Sequence, residues 1–143
     1  MSFLDKVKNA AGVGAATLQV DVSQRPSKRG DELVGLIRVI PGKAAQKMAY
    51  LVVTVEWDGD WSYKNADGVD IQVRGGKGYV LLDKPAHTQS VTLNPGQTIE
   101  VPVRAKIPSD APLTSETVKW KFYCRADIEG ADPEFATSLE IRG

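Results

Sequence analysis

The sequence predicts an all-β sandwich or barrel within a single domain that spans residues 1–143. Val, Ile and Thr make more than a fifth of the chain, and their branched side chains pack well on the pleated surface of a strand. The 13 glycines and 8 prolines are spread along the chain, at the short intervals expected of turns between strands. Between them, apolar and polar residues alternate, which is typical of strands with one buried face.

Residues 1–14 depart from this strand pattern. Phe3, Leu4 and Val7 recur at helical spacing, with charged residues on the other side, which predicts a short N-terminal amphipathic helix over 2–11. Two glycines then end the helix and form a Gly-rich connection to the strands. Because so short a helix is marginal alone, its apolar side is expected to rest on the domain or on a second copy.

About nine strands are predicted after the helix, from the alternation and the turn residues between segments. They lie at 18–22, 33–40, 49–57, 69–73, 79–82, 87–93, 99–107, 118–128 and 135–141. The inward row of the third strand starts at Ala49 and ends at Trp57, and Trp120 is a predicted core anchor in the eighth. Pro102 faces outward from the seventh, which predicts an edge strand or a bulge because proline has no amide hydrogen. The Gly-rich segment 74–78 is predicted to be a hairpin turn.

Composition excludes several classes of function. Basic and acidic side chains both number 18, so the net charge is zero and does not favour nucleic acid or an anionic membrane. The single cysteine, Cys124, lies in an inward row where a thiol is inert, and the single histidine, His87, cannot build a zinc site alone. No nucleophile, base and metal set converges, so we expect neither catalysis nor a cofactor.

Targeting signals are also missing from the sequence. No apolar run approaches the roughly 20 residues that span a bilayer. The N-terminus is charged where a secretory signal would be apolar. The sequence therefore predicts a cytoplasmic protein.

Residues 56–70 are predicted to form an acidic loop. Its four aspartates are Asp58, Asp60, Asp67 and Asp70. A small calcium- or ligand-binding loop is one interpretation, since hard cations need several oxygen ligands. The EF-hand pattern fails, because Tyr63 and Val69 stand where glycine and glutamate are required. Asp-Gly pairs form turns in their own right, so a solvated loop is the other interpretation.

The region of the two strongest strands resembles a known fold. One alternating strand ends in an apolar-Pro pair at 107–108, a Pro-containing crossover follows at 109–114, and the next strand bears Trp120 and Phe122. This arrangement resembles the arrestin-fold signature. The turn and strand at 29–37 resemble the early arrestin-fold turn, with Arg in place of the usual Pro.

Within that superfamily, the chain is similar to the bacterial sporulation-control family. The matching segments are Met1-Ser2-Phe3, Gly12 to Ala16, Ala126 to Ile128 and Asp132-Pro133. The resemblance implies an immunoglobulin-like, arrestin-type antiparallel β-sandwich that serves as a non-enzymatic interaction or scaffold module for a protein partner. Family members have two such lobes, and this chain is long enough for the first only.

Five basic side chains face outward from the two strongest strands, which are expected to be neighbours. They are Arg104, Lys106, Lys119, Lys121 and Arg125. Arrestin-like proteins can use basic residues to bind phosphorylated or acidic peptides, and Arg suits that contact. A solvated sheet face is the alternative. Trp61 and Tyr63 fit no predicted strand, so they are either exposed partner contacts or a cap over the end of the sandwich.

Self-association is predicted from the strand at 33–40. Its second face, Val34, Leu36 and Ile40, is apolar where a solvated antiparallel sheet would be polar, and such patches usually mark a contact surface. The resemblance also implies a family with two lobes, whereas this chain is expected to supply one, and this difference is a second reason to expect self-association. A two-fold dimer is the commonest solution. Coverage of this face by the N-terminal helix of the same chain is the competing interpretation.

Overall fold

The computed structural model describes residues 15–23, 26–82, 90–130 and 132–143. Its ten strands are β1 (Thr17–Val22), β2 (Ser27–Lys28), β3 (Glu32–Ile40), β4 (Gln46–Lys64), β5 (Asp70–Val80), β6 (Val91–Leu93), β7 (Ile99–Lys106), β8 (Val118–Ile128), β9 (Glu134–Leu139) and β10 (Ile141–Arg142). These ranges contain no helix. The helix predicted over 2–11 and His87 both lie outside the described residues. The predicted all-β class is confirmed.

The strands form two antiparallel sheets and one short parallel pair. The first sheet has the order β1-β3-β7, and the second has the order β5-β4-β8-β9, with β6 paired to the start of β4. Strands β2 and β10 form the parallel pair. Buried side chains of both sheets belong to one apolar cluster, as expected of two sheets packed face to face.

The alternation of β8 supplies the largest part of this core. Its buried members are Val118, Trp120, Phe122, Cys124, Ala126 and Ile128. The indole of Trp120 is 2% exposed and lies 4.7 Å from that of Trp57 between ring centroids. Its Nε1 donates a hydrogen bond to the carbonyl oxygen of Pro112 at 2.9 Å. The predicted burial of Trp120 is confirmed.

Among the described strands, β7 lies at the edge of its sheet, as Pro102 indicated. It pairs with β3 over its length, with Pro102 opposite Leu36. In the described part of the chain, the only pairing on the other side of β7 is an isolated bridge between Leu82 and Ala105. The amide hydrogen that proline lacks is therefore not needed at this position.

The inward row predicted from Ala49 to Trp57 is wrong at its start. The pairing of β4 with β8 shifts between Met48 and Tyr50, so Ala49 becomes the extra residue of a β-bulge and is exposed, while Met48 is fully buried. A one-residue shift exchanges the two faces of a strand. The alternation of buried and exposed residues in the centre of β4 therefore does not extend to the residues before the bulge.

The acidic loop predicted at 56–70 and the turn predicted at 74–78 are also wrong, because both segments belong to one long hairpin. Strand β4 continues to Lys64, and β5 runs without interruption over Asp70–Val80. The chain turns only at 65–69. The fourth and fifth predicted strands are consequently a single strand.

Irregularities within the ladder accommodate the glycines of this hairpin. The pairing of β4 with β5 shifts between Gly59 and Trp61. On the facing strand, Gly75 has a φ of 58°, a left-handed conformation that favours glycine. The carboxylate of Asp60 accepts a hydrogen bond from the Gly75 amide at 2.7 Å. Residues whose composition is typical of turns thus form bulges inside a continuous hairpin.

Candidate interaction surfaces

The outward face of the first sheet carries the apolar side chains predicted from the sequence. Val34 is 49% exposed, and Leu36 and Ile40 are half-buried. Pro102 lies beside Leu36 on the neighbouring strand. We call Val34, Leu36, Ile40 and Pro102 the apolar row. Three of its members lie on β3, the middle strand of the sheet, where Arg38 stands between Leu36 and Ile40. The row is partly open to solvent.

Two ion pairs lie along the same face. Arg104 Nη1 lies 3.0 Å from Glu32 Oε1, and Arg38 Nε lies 3.0 Å from Glu100 Oε2. Each pair joins β3 to β7. In the register of these strands, Leu36 and Pro102 lie between the two pairs, Val34 lies beside Arg104, and Ile40 lies beyond Arg38. The face therefore combines an apolar centre with charged groups of both signs around it.

The five predicted basic residues do not form one stripe. Arg104 and Lys106 lie on β7 in the first sheet, whereas Lys119, Lys121 and Arg125 lie on β8 in the second. Consecutive strands of the chain are here in different sheets, because the crossover at 107–117 carries the chain from one to the other. The expected adjacency of the two strands is wrong.

Two basic residues of β8, Lys121 and Arg125, belong to a network of opposite charges and tyrosines, whereas Lys119 Nζ donates to the Ser115 carbonyl at 3.2 Å. Lys121 Nζ lies 3.0 Å from Glu56 Oε1, and Arg125 Nη1 lies 3.6 Å from Asp132 Oδ2. Lys121 also lies over the ring of Tyr123, 5.7 Å from its centroid, and Arg125 lies over the ring of Tyr50, 5.9 Å from its centroid. This face is consequently mixed in charge rather than basic.

The electrostatics of these groups follow from their partners. The hydrogen bond with Glu56 and the charge of that carboxylate raise the pKa of Lys121. Partial burial, and after it the hydrogen bond to Glu134, raise the pKa of Tyr123. Lys121 therefore stays cationic and Tyr123 stays neutral at physiological pH.

The four aspartates proposed for a cation site are spread along the hairpin. The carboxylate of Asp60 is engaged by the Gly75 amide, and that of Asp70 by Lys64 Nζ at 3.0 Å. Asp67 lies in the turn at the tip of the hairpin, far along the strand from Asp58. Across the described residues, no group of three or more His, Cys, Asp or Glu side chains could hold a metal ion.

Cys124 is a core residue. It is fully buried, and burial raises the pKa of its thiol to about 12. A thiol in this state is a poor nucleophile at neutral pH, so the residue acts through packing.

Trp61 and Tyr63 lie at the far end of the β4–β5 hairpin, beyond the part of β4 that pairs with β8. They line one wall of a cleft of about 730 Å³. The full lining is Arg29, Trp57, Trp61, Ser62, Tyr63, Lys64, Pro108, Asp110, Ala111 and Pro112. We call this the end cleft. Tyr63 is 50% exposed, whereas Trp61 is half-buried against the core.

The opposite wall of the end cleft comes from the crossover and from the turn before β3. These segments carried the arrestin-like signature in the sequence, but no local pattern indicates that they face Trp61 across a cleft. Arg29 and the crossover residues were therefore missed as candidate site residues. Long-range pairing, and not any motif, brings them together.

No helix in the described ranges is long and apolar enough to cross a membrane.

Comparisons with known proteins agree with this architecture. A family model described as SpoOM protein, Spo0M, matches residues 4–142. The sporulation-control protein spo0M of Bacillus subtilis (strain 168) is 28% identical over 130 residues, which cover 91% of this chain and 47% of that protein.

Solved structures share the fold at low sequence identity. The crystal structure of Spo0M from Bacillus subtilis has a TM-score of 0.63 at 22% identity, over 92% of this chain and 51% of that chain. The crystal structure of a FixG-related protein from Vibrio parahaemolyticus has a TM-score of 0.50 at 14% identity, over 92% of this chain and 100% of that chain.

The strand order and these structural matches define an all-β class of protein with the fold of Spo0M. Because the family model covers nearly the whole chain, the chain belongs to the Spo0M family. It spans about half the length of the curated relative that it matches, 47%.

Proposed function

We propose that the chain is a non-enzymatic interaction module of the Spo0M family, which serves as a scaffold for a protein partner and associates with a second copy through the apolar row. The observation that carries the proposal is the solvent-facing apolar row on the first sheet. Antiparallel sheets that face water normally present polar side chains. Exposed apolar residues grouped on one sheet face are typical of a contact surface.

The charges around the apolar row support a second copy as its occupant. The two ion pairs supply two acids and two bases on one face, Glu32, Glu100, Arg38 and Arg104. A two-fold dimer brings the same patch of each subunit together. A patch with both signs can then place the acids of one copy near the bases of the other, around an apolar centre.

The family relationship supports a regulatory role. The curated relative is named a sporulation-control protein, and we extend that role to this chain as part of the proposal. No observation favours the calcium-binding alternative, since the four aspartates lie apart along the hairpin.

Light scattering on a size-exclusion column tests the association. At a protein concentration of tens of micromolar, the mass measured by light scattering is expected to be about twice the 15.5 kDa of one chain. Leu36→Lys places a charge in the apolar row and is expected to give a folded monomer. Gln72→Lys adds the same charge at an exposed position of β5 in the other sheet and is expected to leave the dimer intact.

Two results would contradict the association. One is a wild-type mass of 15.5 kDa across the concentration range. The other is loss of the folded state in Leu36→Lys, seen by circular dichroism, because that result means the row is covered by the same chain. If Leu36→Lys and Gln72→Lys changed the measured mass equally, the apolar row would not be the interface.

A further inference from the structure

We infer that the end cleft is a second binding site, which takes an extended peptide segment with a carboxylate side chain next to a proline or another apolar side chain. This inference takes one assumption from the proposed function, namely that the molecule bound in the end cleft is part of a protein. It uses a different surface from the apolar row, so the two can be tested separately.

The first argument is the size and lining of the end cleft. Its volume of about 730 Å³ lies within the range of roughly 300–1,000 Å³ that is usual for ligand sites. Three aromatic side chains line it, Trp57, Trp61 and Tyr63, together with Pro108 and Pro112. Grooves lined by aromatic rings are the usual receptors of proline-containing and other extended peptides, because flat rings pack against a segment that loses little entropy on binding.

The second argument is the rigidity of the crossover wall. Ala111 donates its amide hydrogen to the Pro108 carbonyl at 3.2 Å. The Pro112 carbonyl accepts the buried indole hydrogen of Trp120 at 2.9 Å, and Thr114 donates its amide hydrogen to the Ile141 carbonyl at 3.0 Å. A wall held in this way is formed before any ligand arrives, which lowers the entropy lost on binding.

The third argument is that the hairpin wall is held as firmly. The Asp60 amide donates to the Thr117 carbonyl at 3.0 Å, and Thr117 Oγ1 donates to the Asp60 carbonyl at 2.8 Å. Trp61 follows directly in the chain, and its ring lies over Gly76, where an added Cβ would come within 2.6 Å of it. The aromatic side of the cleft is therefore fixed to the body of the second sheet.

The fourth argument is the state of Arg29. Its Nε donates a hydrogen bond to the Ala111 carbonyl at 2.6 Å, which fixes the guanidinium at the rim of the cleft. Its backbone is held as well, since the Arg29 amide donates to the Arg142 carbonyl at 3.1 Å. Among the described residues, the two Nη nitrogens have no hydrogen bond or ion pair. A guanidinium with two free Nη groups matches a carboxylate well.

The other charged residues of the end cleft favour a carboxylate over a phosphate as the bound anion. Lys64 is engaged by Asp70 at 3.0 Å, which leaves Arg29 and Asp110 as opposite charges in one lining. A site without net positive charge recognises an anion through the geometry of its hydrogen bonds. It therefore suits the single charge of a carboxylate better than the double charge of a phosphate.

Selection from a random peptide library displayed on phage tests this inference with the intact chain as bait. Enriched peptides are expected to contain Asp or Glu next to Pro or another apolar residue. Their synthetic forms, with blocked ends, are then titrated against Arg29→Ala and Tyr63→Ala. Both variants are expected to bind at least about tenfold more weakly than the wild type. Replacing the acidic residue of the peptide with its amide is expected to give a similar loss.

Matched variants distinguish binding in the end cleft from binding at the apolar row and from loss of the fold. Tyr63 is exposed, so Tyr63→Ala keeps the fold, and it tests the cleft even if Arg29→Ala disturbs the crossover. Leu36→Lys alters only the apolar row and is expected to bind the peptides as the wild type does. Unchanged binding by both Arg29→Ala and Tyr63→Ala, enrichment of peptides without acids, or no enrichment at all would overturn the inference. None of these results bears on whether the chain dimerises.

Discussion

At the scale of single residues, the alternation of the sequence identified the burial of Trp120 but not its polar contact. The position of an indole in an inward row follows from a period of two. The acceptor of its Nε1 hydrogen, the Pro112 carbonyl, lies in an irregular segment whose path no periodicity describes. Burial of this side chain is possible because that carbonyl satisfies its one polar group.

Trp120→Ala is expected to lower the free energy of unfolding by about 3–5 kcal/mol, because it leaves a large cavity in the core. It also leaves the Pro112 carbonyl without its donor. Urea denaturation followed by circular dichroism measures the effect. Tyr63→Ala, at a half-exposed ring, is the control and is expected to change stability by less than about 0.5 kcal/mol. An unchanged midpoint for Trp120→Ala would contradict the packing described for β8.

At the scale of elements, the sequence predicts most strands and misplaces the hairpin of β4 and β5. Gly59 and Gly75 belong to residue pairs that usually form turns, and a turn is what composition favours there. In the structure, the Asp60 carboxylate and the Thr117 backbone supply hydrogen bonds that hold these residues inside a ladder. Such partners are remote in the chain, so local propensity cannot include them.

Gly59→Ala tests whether this hairpin is held against β8 as described. Gly59 has a φ of 133°, and a Cβ there would lie 1.7 Å from the carbonyl oxygen of Thr117. Gly68 also has a positive φ, 78°, but a Cβ there would have no atom within 4 Å. We expect Gly59→Ala to lower the free energy of unfolding by at least about 2 kcal/mol more than Gly68→Ala does. Equal losses in chemical denaturation would mean that the close approach to Thr117 is absent.

At the scale of the whole molecule, the two candidate surfaces differ in how far the sequence predicted them. The apolar row was predictable because Val34, Leu36 and Ile40 lie on one strand and share its outward face. The predicted basic stripe required β7 and β8 to be neighbours, and the end cleft requires Arg29 to meet Trp61. Both depend on the order of strands in the sheets, which alternation within a strand does not encode.

The most direct test of the apolar row as a dimer interface is cross-linking of variants that carry one added cysteine each. Leu36→Cys is treated with a short bismaleimide, with Gln72→Cys as the control in the other sheet. The native Cys124 does not compete, because it is buried and its thiol has a pKa of about 12. We expect Leu36→Cys to give a covalent species of about twice the 15.5 kDa monomer mass on a denaturing gel, and Gln72→Cys to stay monomeric. Absence of that species, or equal yields from the two variants, would contradict self-association through the apolar row.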